Sequence, residues 1–303
     1  MCMRACNSRA RLYRGSVVAR GAGMVEHRDF KLAGVIGWPV FQSRSPLLHG
    51  LWMRKYGIMG AYVPMAVQPG RLEAALRGLA ALGFAGCNIT LPHKEAAYGM
   101  VDRVDTVGQR LGAINLVVVE RDGSLSGFNK DAYGFIASLR EAAPGWDAAA
   151  GPAVVLGAGG GARSVLCSLL DAGAPQVRLL NRTRERAERL AATTGGKVTV
   201  LDWPDRGAAL AGAALLVNTT KLGMSGQPAL ELDLSALPVA ALVADIVYNP
   251  LQTRLLAAAR ARGNGVVDGL GMLLHQARPA FQAWFGIDPE ITPDIRQAIE
   301  ATI

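Results

Sequence analysis

Short apolar runs alternate with stretches of helical period along most of the chain. After an arginine-rich leader, Lys31–Gly37 predicts a strand and Trp38–Ser45 a loop. Pro46 fits the first turn of a helix running to about Tyr56. Tyr62–Ala66 predicts a second strand, Pro69–Leu82 a helix stopped by Gly83, and Gly86–Thr90 a third strand. Pro92 starts a helix reaching about Asp102. Ile114–Glu120 and Ser124–Phe128 predict paired strands around the turn Arg121-Asp122-Gly123, and helix Ala132–Ala142 follows.

The Gly/Pro/Ala-rich stretch Pro144–Pro152 marks a crossing into a second lobe. There, strands are expected at Ala153–Leu156, Gln176–Leu180, Lys197–Val200, Leu215–Asn218, Ala241–Val247 and Gly265–Asp268. Helices are expected at Ala162–Ala172, Arg184–Thr193, Thr253–Arg262, Gly271–Phe285 and about Pro293–Thr302, the last with Thr292 as N-cap. Alternation of strands and helices predicts an α/β fold with parallel sheets wound on both faces.

The stretch Ala153–Thr183 reads as strand, Gly-rich turn, helix, strand. Gly157, Gly159, Gly160 and Gly161 let the backbone turn tightly and approach a pyrophosphate, which the following helix N-terminus favours. The second strand ends in Asn181, Arg182, Thr183 and Arg184, with no carboxylate for ribose hydroxyls. A guanidinium grips a 2′-phosphate with two parallel bonds. A charge-assisted bond of about 1.5–3 kcal/mol predicts NADP(H) over NAD(H). The bland reading, Thr183 capping a helix whose arginines face solvent, is compatible with it.

The 303 residues are enough for two domains. Half the chain is apolar and 18% is charged, as in a globular enzyme. Of the net charge of +8, residues 1–28 supply +5, from six arginines against Glu26. A basic tail is not a basic groove, so no nucleic-acid partner is expected. The tail lacks a secretory apolar core, faintly resembles a transit peptide, and reads as a disordered leader or an over-long start, with Met24 an alternative initiator. Cys2, Cys6, Cys87 and Cys167 form no C-x-x-C pair, a reduced cytoplasmic pattern. The four histidines lack metal-ligand spacing, so no metal is expected. No long apolar run predicts a membrane span; Ala236–Leu251 is broken by Asp245 and prolines.

Polar clusters fall where strands end, the usual place for ligands in such folds. Ser43 and Ser45, beside a helix N-terminus, suit a carboxylate, although Ser45 could be a plain N-cap. Lys94 is a cation at the wrong end of a helix, which needs another reason or points into solvent. Asn115 follows Gly112-Ala113-Ile114, and Asp131 suits an N-cap.

Together the stretches SRSPLLH, GCNITLPHK, GAIN, GFNKDAYG, GAGGGAR, NRT, NTTKLGM, DIVYNPLQT and GLGMLLHQA resemble shikimate dehydrogenases, from about Phe30 to the C-terminus. The resemblance implies two α/β domains: an N-terminal substrate lobe and a C-terminal Rossmann-like NADP-binding lobe with a cleft between them. The boundaries are 29–128 for the substrate domain and 129–264 for the cofactor domain, with 265–303 as helices returning to the first. It implies a cytoplasmic monomer or homodimer reducing 3-dehydroshikimate with NADPH in aromatic-amino-acid biosynthesis. Lys94 and Asp131 would be the catalytic pair, and Ser43 and Ser45 the carboxylate ligands. Thr90, Asn115 and Gln276 would hold ring hydroxyls, with Tyr248 nearby. Gly157, Ala158, Gly159, Gly160, Gly161, Ala162 and Arg163 match the cofactor turn, and Asn181, Arg182 and Thr183 the adenosine end. Thr219, Met224 and Gly269 match stretches near the nicotinamide.

Hydride addition to a ketone develops charge on oxygen, which needs a proton donor or a fixed cation. Lys94 can serve, with Asp131 orienting it. Two departures from the family pattern stand out: Lys130 where Thr usually precedes the Asp, and Leu116 where Thr follows the Asn. A cation beside the pair could depress the Lys94 pKa, draw Asp131 away, point to solvent, or bind a different substituent on the ring. Lys130 therefore keeps open a quinate or aminoshikimate dehydrogenase, or a non-catalytic NADP(H)-binding sensor.

Overall fold

The computed structural model describes residues 30–195 and 197–303. The expected disordered leader, 1–28, lies outside the described residues.

The first lobe runs β1 (Lys31–Gly37), α1 (Ser45–Lys55), β2 (Gly60–Ala66), α2 (Leu72–Ala81), β3 (Phe84–Ile89), α3 (Lys94–Tyr98), β4 (Arg103–Val104), α4 (Thr106–Leu111), β5 (Leu116–Val119) and β6 (Leu125–Phe128). These strands form a six-stranded sheet in the order β2-β1-β3-β5-β6-β4. β1 pairs in parallel with β2 and β3, but β5 is antiparallel to β3 and to β6. The expectation of parallel sheets is thus corrected for this lobe, whereas the pairing of β5 with β6 around the turn Arg121-Asp122-Gly123 is as expected. A short turn between β5 and β6 can join only antiparallel neighbours, since a parallel pair needs a long crossover.

α5 (Asp131–Ala142) leads into the second lobe: β7 (Ala153–Leu156), α6 (Gly160–Asp171), β8 (Val177–Leu180), α7 (Arg184–Thr194), β9 (Val198–Leu201), β10 (Leu215–Asn218), β11 (Leu242–Asp245), α8 (Arg254–Ala261) and β12 (Gly265–Val267). All of its sheet pairings are parallel, in the order β12-β11-β10-β7-β8-β9. The order reverses between β7 and β10, so the glycine turn after β7 sits at the switch point where such sheets bind ligands. Gly265–Val267, grouped by sequence with the returning helices, is the outermost strand of this sheet.

Alternate residues of the short strands point to opposite faces, and both faces are covered. Val155, Leu179 and Val217 pack with Val165 of α6 and Leu139 of α5. Val154, Leu216 and Val243 pack with Leu255 of α8. In the first lobe, Ile36, Ile89 and Val117 meet Leu72 and Leu76 of α2.

The chain then returns. Leu270, Leu274 and Phe281 of α9 (Gly269–Phe285) pack against Ala33, Trp52 and Leu116 of the first lobe. The Trp284 indole donates to the Val117 carbonyl at 3.0 Å. α10 (Pro293–Glu300) closes the chain; Thr292 occupies its cap position without a side-chain cap bond. α5 and α9 approach closely because Gly134 and Gly271 lack side chains. A Cβ at Gly134 would stand 2.8 Å from the Met272 carbonyl, and one at Gly271 would collide with Ser138.

Two local readings change. The helix expected from Pro92 to Asp102 spans only Lys94–Tyr98 and gives way at Gly99. α4 was not expected, although its signals are present: Asp105 caps it through the Gly108 N–H at 2.8 Å, and Gly112 ends it at φ 58°.

Candidate active site

A cavity of about 330 Å³ opens between the lobes. Ser43, Ser45, Thr90, Lys94, Asn115, Asp131, Tyr248 and Gln276, the eight residues expected to bind and turn over substrate, all line it. Gly160, Gly161 and Gly269 line the same space.

Lys94 is the first residue of α3, and its carbonyl accepts the Ile114 N–H at 3.0 Å, which anchors the helix start. Its Nζ donates to Asp131 Oδ2 at 2.5 Å. The other carboxylate oxygen accepts from Asn115 Nδ2 at 2.8 Å. Asn115 Nδ2 also reaches Gln276 Oε1 at 3.2 Å. Asp131 is 7% exposed, and these partners satisfy a carboxylate that would be costly to bury alone.

The expected capping role of Asp131 does not hold. α5 begins at Asp131, and Lys130 fills the cap position without a side-chain cap bond. Asn129 Oδ1 instead accepts the Asp131 N–H at 3.1 Å. The carboxylate is thereby free for Lys94, at a helix end that favours anions. Ser45 likewise is not the cap: α1 starts at Ser45, and Ser43 Oγ accepts its N–H at 3.3 Å.

Lys130 turns away from the pair. Its Nζ lies 3.3 Å from Asp105 Oδ2 and 5.0 Å from the Phe128 ring centroid. Only its backbone serves the site, donating to Asn115 Oδ1 at 2.8 Å.

Sequence reasoning missed the polar support beneath Asn115. The Tyr62 hydroxyl donates to Asn88 Oδ1 at 2.7 Å, and Asn88 Nδ2 donates to the Asn115 carbonyl at 3.0 Å. His49 stacks on Tyr62 at 4.1 Å, fully buried, and burial pushes its pKa down to about 3. Burial raises the pKa of Tyr248, with Arg44 opposing, so this cavity residue stays a neutral hydroxyl.

The cofactor residues fall into distinct positions. Gly157 has φ 108°, and a Cβ there would stand 2.7 Å from Thr219 Oγ1. Thr219 itself donates to the Leu156 carbonyl at 2.7 Å, supporting the turn. At Gly159 and Gly160 a Cβ would meet nothing within 4 Å, which leaves the backbone open to a diphosphate. Ala162 is buried in the core, which leaves only its backbone N–H, in the first turn of α6, available to a ligand. Met224 lies in a turn, its N–H on the Lys221 carbonyl at 3.2 Å, and lines neither this cavity nor the next.

A second cavity, of about 590 Å³, lies beside the glycine turn and includes Ala158, Gly159, Gly160 and Arg163. Arg163 donates to the Leu111 carbonyl at 2.6 Å, tying α6 to α4 of the first lobe. Asn181 Nδ2 reaches the Thr183 carbonyl at 2.7 Å, and Thr183 holds the α7 cap position without a side-chain bond, leaving its hydroxyl free. Arg184 is engaged by Glu188 and Asp202 at 2.8 and 2.7 Å. Arg186 and Arg189 of α7 line the cavity and were missed by sequence. Their spacing of three on an expected helix was the available signal.

Known proteins match this architecture. The family model described as Shikimate dehydrogenase substrate binding domain matches residues 35–117, Shikimate / quinate 5-dehydrogenase residues 142–223, and Shikimate 5′-dehydrogenase C-terminal domain residues 269–300. Shikimate dehydrogenase (NADP(+)) of Paramagnetospirillum magneticum is 58% identical over 88% of this chain and 96% of its own length. Shikimate 5-dehydrogenase of Thermus thermophilus, solved with NADP(H) and shikimate, superposes at TM-score 0.79 and 36% identity, covering 90% of this chain and 99% of that one. Quinate dehydrogenase of Corynebacterium glutamicum, solved with NAD, superposes at TM-score 0.84 and 31% identity, covering 91% and 100%. The chain belongs to the shikimate dehydrogenase family.

Proposed function

We propose that this chain catalyses the reversible NADPH-dependent reduction of 3-dehydroshikimate to shikimate, with Lys94 and Asp131 as its acid–base pair. The observation that carries the reading is the 2.5 Å contact between Lys94 Nζ and Asp131 Oδ2 in a cleft shared by hydroxyl donors and an open glycine turn.

Ser43 and Ser45 hold the substrate carboxylate by hydroxyl donation, helped by the positive end of α1. Thr90, Asn115 and Gln276 hold the ring hydroxyls, with Tyr248 as a neutral donor. The glycine turn and the Asn181–Thr183 strand end would hold NADPH, which would supply the hydride. As charge grows on the former carbonyl oxygen, the Lys94 ammonium gives that oxygen a proton, and Asp131 keeps the amine aimed at it. In the reverse direction the neutral amine takes the hydroxyl proton. Such acid–base help is worth about 10²–10⁴ in rate.

The pairing of Lys130 with Asp105 speaks against the sensor reading, since that cation does not compete for Asp131. The absence of a carboxylate at the end of β8 supports NADP(H). Cys87 and Cys167 are free and buried, which supports a reducing compartment, the cytoplasm, where we expect a monomer or homodimer. Among the described residues, no helix is long and apolar enough to cross a membrane.

The test follows NADPH absorbance on adding 3-dehydroshikimate, then repeats with NADH and with 3-dehydroquinate. Turnover should be fastest with NADPH and 3-dehydroshikimate. Faster turnover of 3-dehydroquinate would shift the assignment to quinate, and NADPH binding without turnover of either ketone would overturn the enzyme reading.

A further inference from the structure

Two guanidiniums cross the seam between α4 and α6, and they differ in what they hold. Arg163 stands in the first turn of α6, where its N–H donates to the Gly159 carbonyl at 3.1 Å and makes an opening bond of the helix at the glycine turn. Its side chain reaches into the other lobe: Nη1 donates to the Leu111 carbonyl of α4 at 2.6 Å. Gly112 makes room for that reach. It ends α4 at φ 58°, and a Cβ there would stand 3.3 Å from Arg163 Nη1.

The segment that begins at Leu111 shapes the reaction site. The Ala113 carbonyl accepts from Asn129 Nδ2 at 3.0 Å, and Asn129 Oδ1 in turn accepts the Asp131 N–H. The Ile114 N–H donates to the Lys94 carbonyl at 3.0 Å. Asn115 Nδ2 donates to the Asp131 carboxylate at 2.8 Å. Residues 111–115 thus bond to both members of the acid–base pair, and they start at the carbonyl that Arg163 holds. Arg110, one residue earlier, pairs with Asp171 at the far end of α6, and both side chains are exposed. A pair of that kind contributes about 1 kcal/mol or less.

We propose that Arg163 is a positioning residue, which sets the distance between hydride donor and ketone by fixing the glycine turn to residues 111–115. The inference rests on the NADPH-dependent reduction proposed above. The cavity beside the turn is lined by Glu95 of α3 as well as by Gly159 and Gly160, so the two lobes face each other across open space there. A charged donor on a carbonyl is a short, directional tie across that gap. Misplacing reacting groups by about 1 Å can cost about 10²-fold in rate. The same tie couples the ligands, because a cofactor seated on the turn steadies the segment that carries Asn115.

The experiment compares wild type, Arg163→Ala, Arg163→Lys and Arg110→Ala. It measures kcat, the primary isotope effect with NADPH deuterated at the transferred position, binding of NADPH alone, and binding of shikimate with and without NADPH, an unreactive pair. Arg163→Ala should lower kcat by about ten- to a hundred-fold. Its isotope effect on kcat should rise, because hydride transfer becomes the slow step. NADPH alone should bind as to wild type. The factor by which NADPH changes shikimate affinity, about five-fold or more in wild type, should fall toward one. Arg163→Lys keeps the charge but not the fork, so it should recover part of kcat, and it carries the same test if Arg163→Ala does not fold. Arg110→Ala should match wild type throughout. An unchanged isotope effect and coupling factor in the Arg163 variants would overturn the positioning role. Weaker binding of NADPH alone would overturn it too, by making the guanidinium a cofactor ligand. A wild type that turns over neither ketone would overturn the proposed reaction itself, whereas an active wild type matched by every variant would overturn only the role of Arg163.

Discussion

Lys94 and Asp131 are separated by 37 residues, on the first turns of two different helices, and meet at 2.5 Å in the cleft. Each is the answer to the other's problem. A cation is misplaced at the head of α3, and a nearly buried carboxylate needs a counter-charge.

Lys94→Ala should lower kcat by about 10²–10⁴ while KM for 3-dehydroshikimate moves far less, because the ammonium acts on charge that grows in the transition state. Steady-state kinetics decide it. An unchanged kcat would remove Lys94 from the chemistry.

Gly134→Ala probes the seat of Asp131 and Gln276. The added methyl would press on the Met272 carbonyl at 2.8 Å and on Gln276 Cβ at 2.7 Å. Overpacking at such a seam costs about 1–3 kcal/mol. Urea unfolding should show that loss, and kcat should fall with it because both helices carry site residues. Wild-type stability would mean that the α5–α9 contact is looser than described.

Lys130→Thr should leave kcat within about two-fold. The Lys130–Asp105 pair is only partly buried, and pairs of this kind contribute about 1 kcal/mol or less. A large gain or loss of kcat, or a switch of ketone preference, would show that Lys130 does reach the substrate.

Two buried groups set opposing slopes in the stability–pH curve. Burial lowers the His49 pKa from 6.5 to about 3, so the unfolded chain binds that proton first as pH falls. Its contribution is complete above pH 6.5 and is lost as pH drops toward 3. Burial raises the Asp245 carboxyl from 3.8 to about 6, against bonds from Val247, Thr253 and Asn218. That penalty is present above pH 6 and is relieved as pH falls toward 3.8. Full shifts correspond to about 5 kcal/mol for His49 and about 3 kcal/mol for Asp245, so the histidine dominates. Denaturant midpoints from pH 7 to pH 4 should fall more steeply for wild type than for His49→Leu. Parallel curves would sink this account of His49.

Much of the molecule is written locally. The four apolar residues of β7, the glycines after them and the helix that follows are set by spacing and by backbone freedom, so they could be read in order along the chain. Ser43, Ser45, Asn115 and Asp131 were visible because polar groups stand where apolar runs stop. Other features have no local signature. The antiparallel insertion of β5 beside β3 depends on which strand edge is free once β1 is paired on both sides. Whether Asp131 caps α5 or turns to Lys94 depends on Asn129 taking the backbone N–H first. The patterning of apolar and polar residues sets which elements exist and which end of each is chemical, because those preferences act over a few neighbouring residues. Which distant side chains become partners is decided by the tertiary structure, as where α9 packs on the first sheet, because such contacts join segments far apart in the chain.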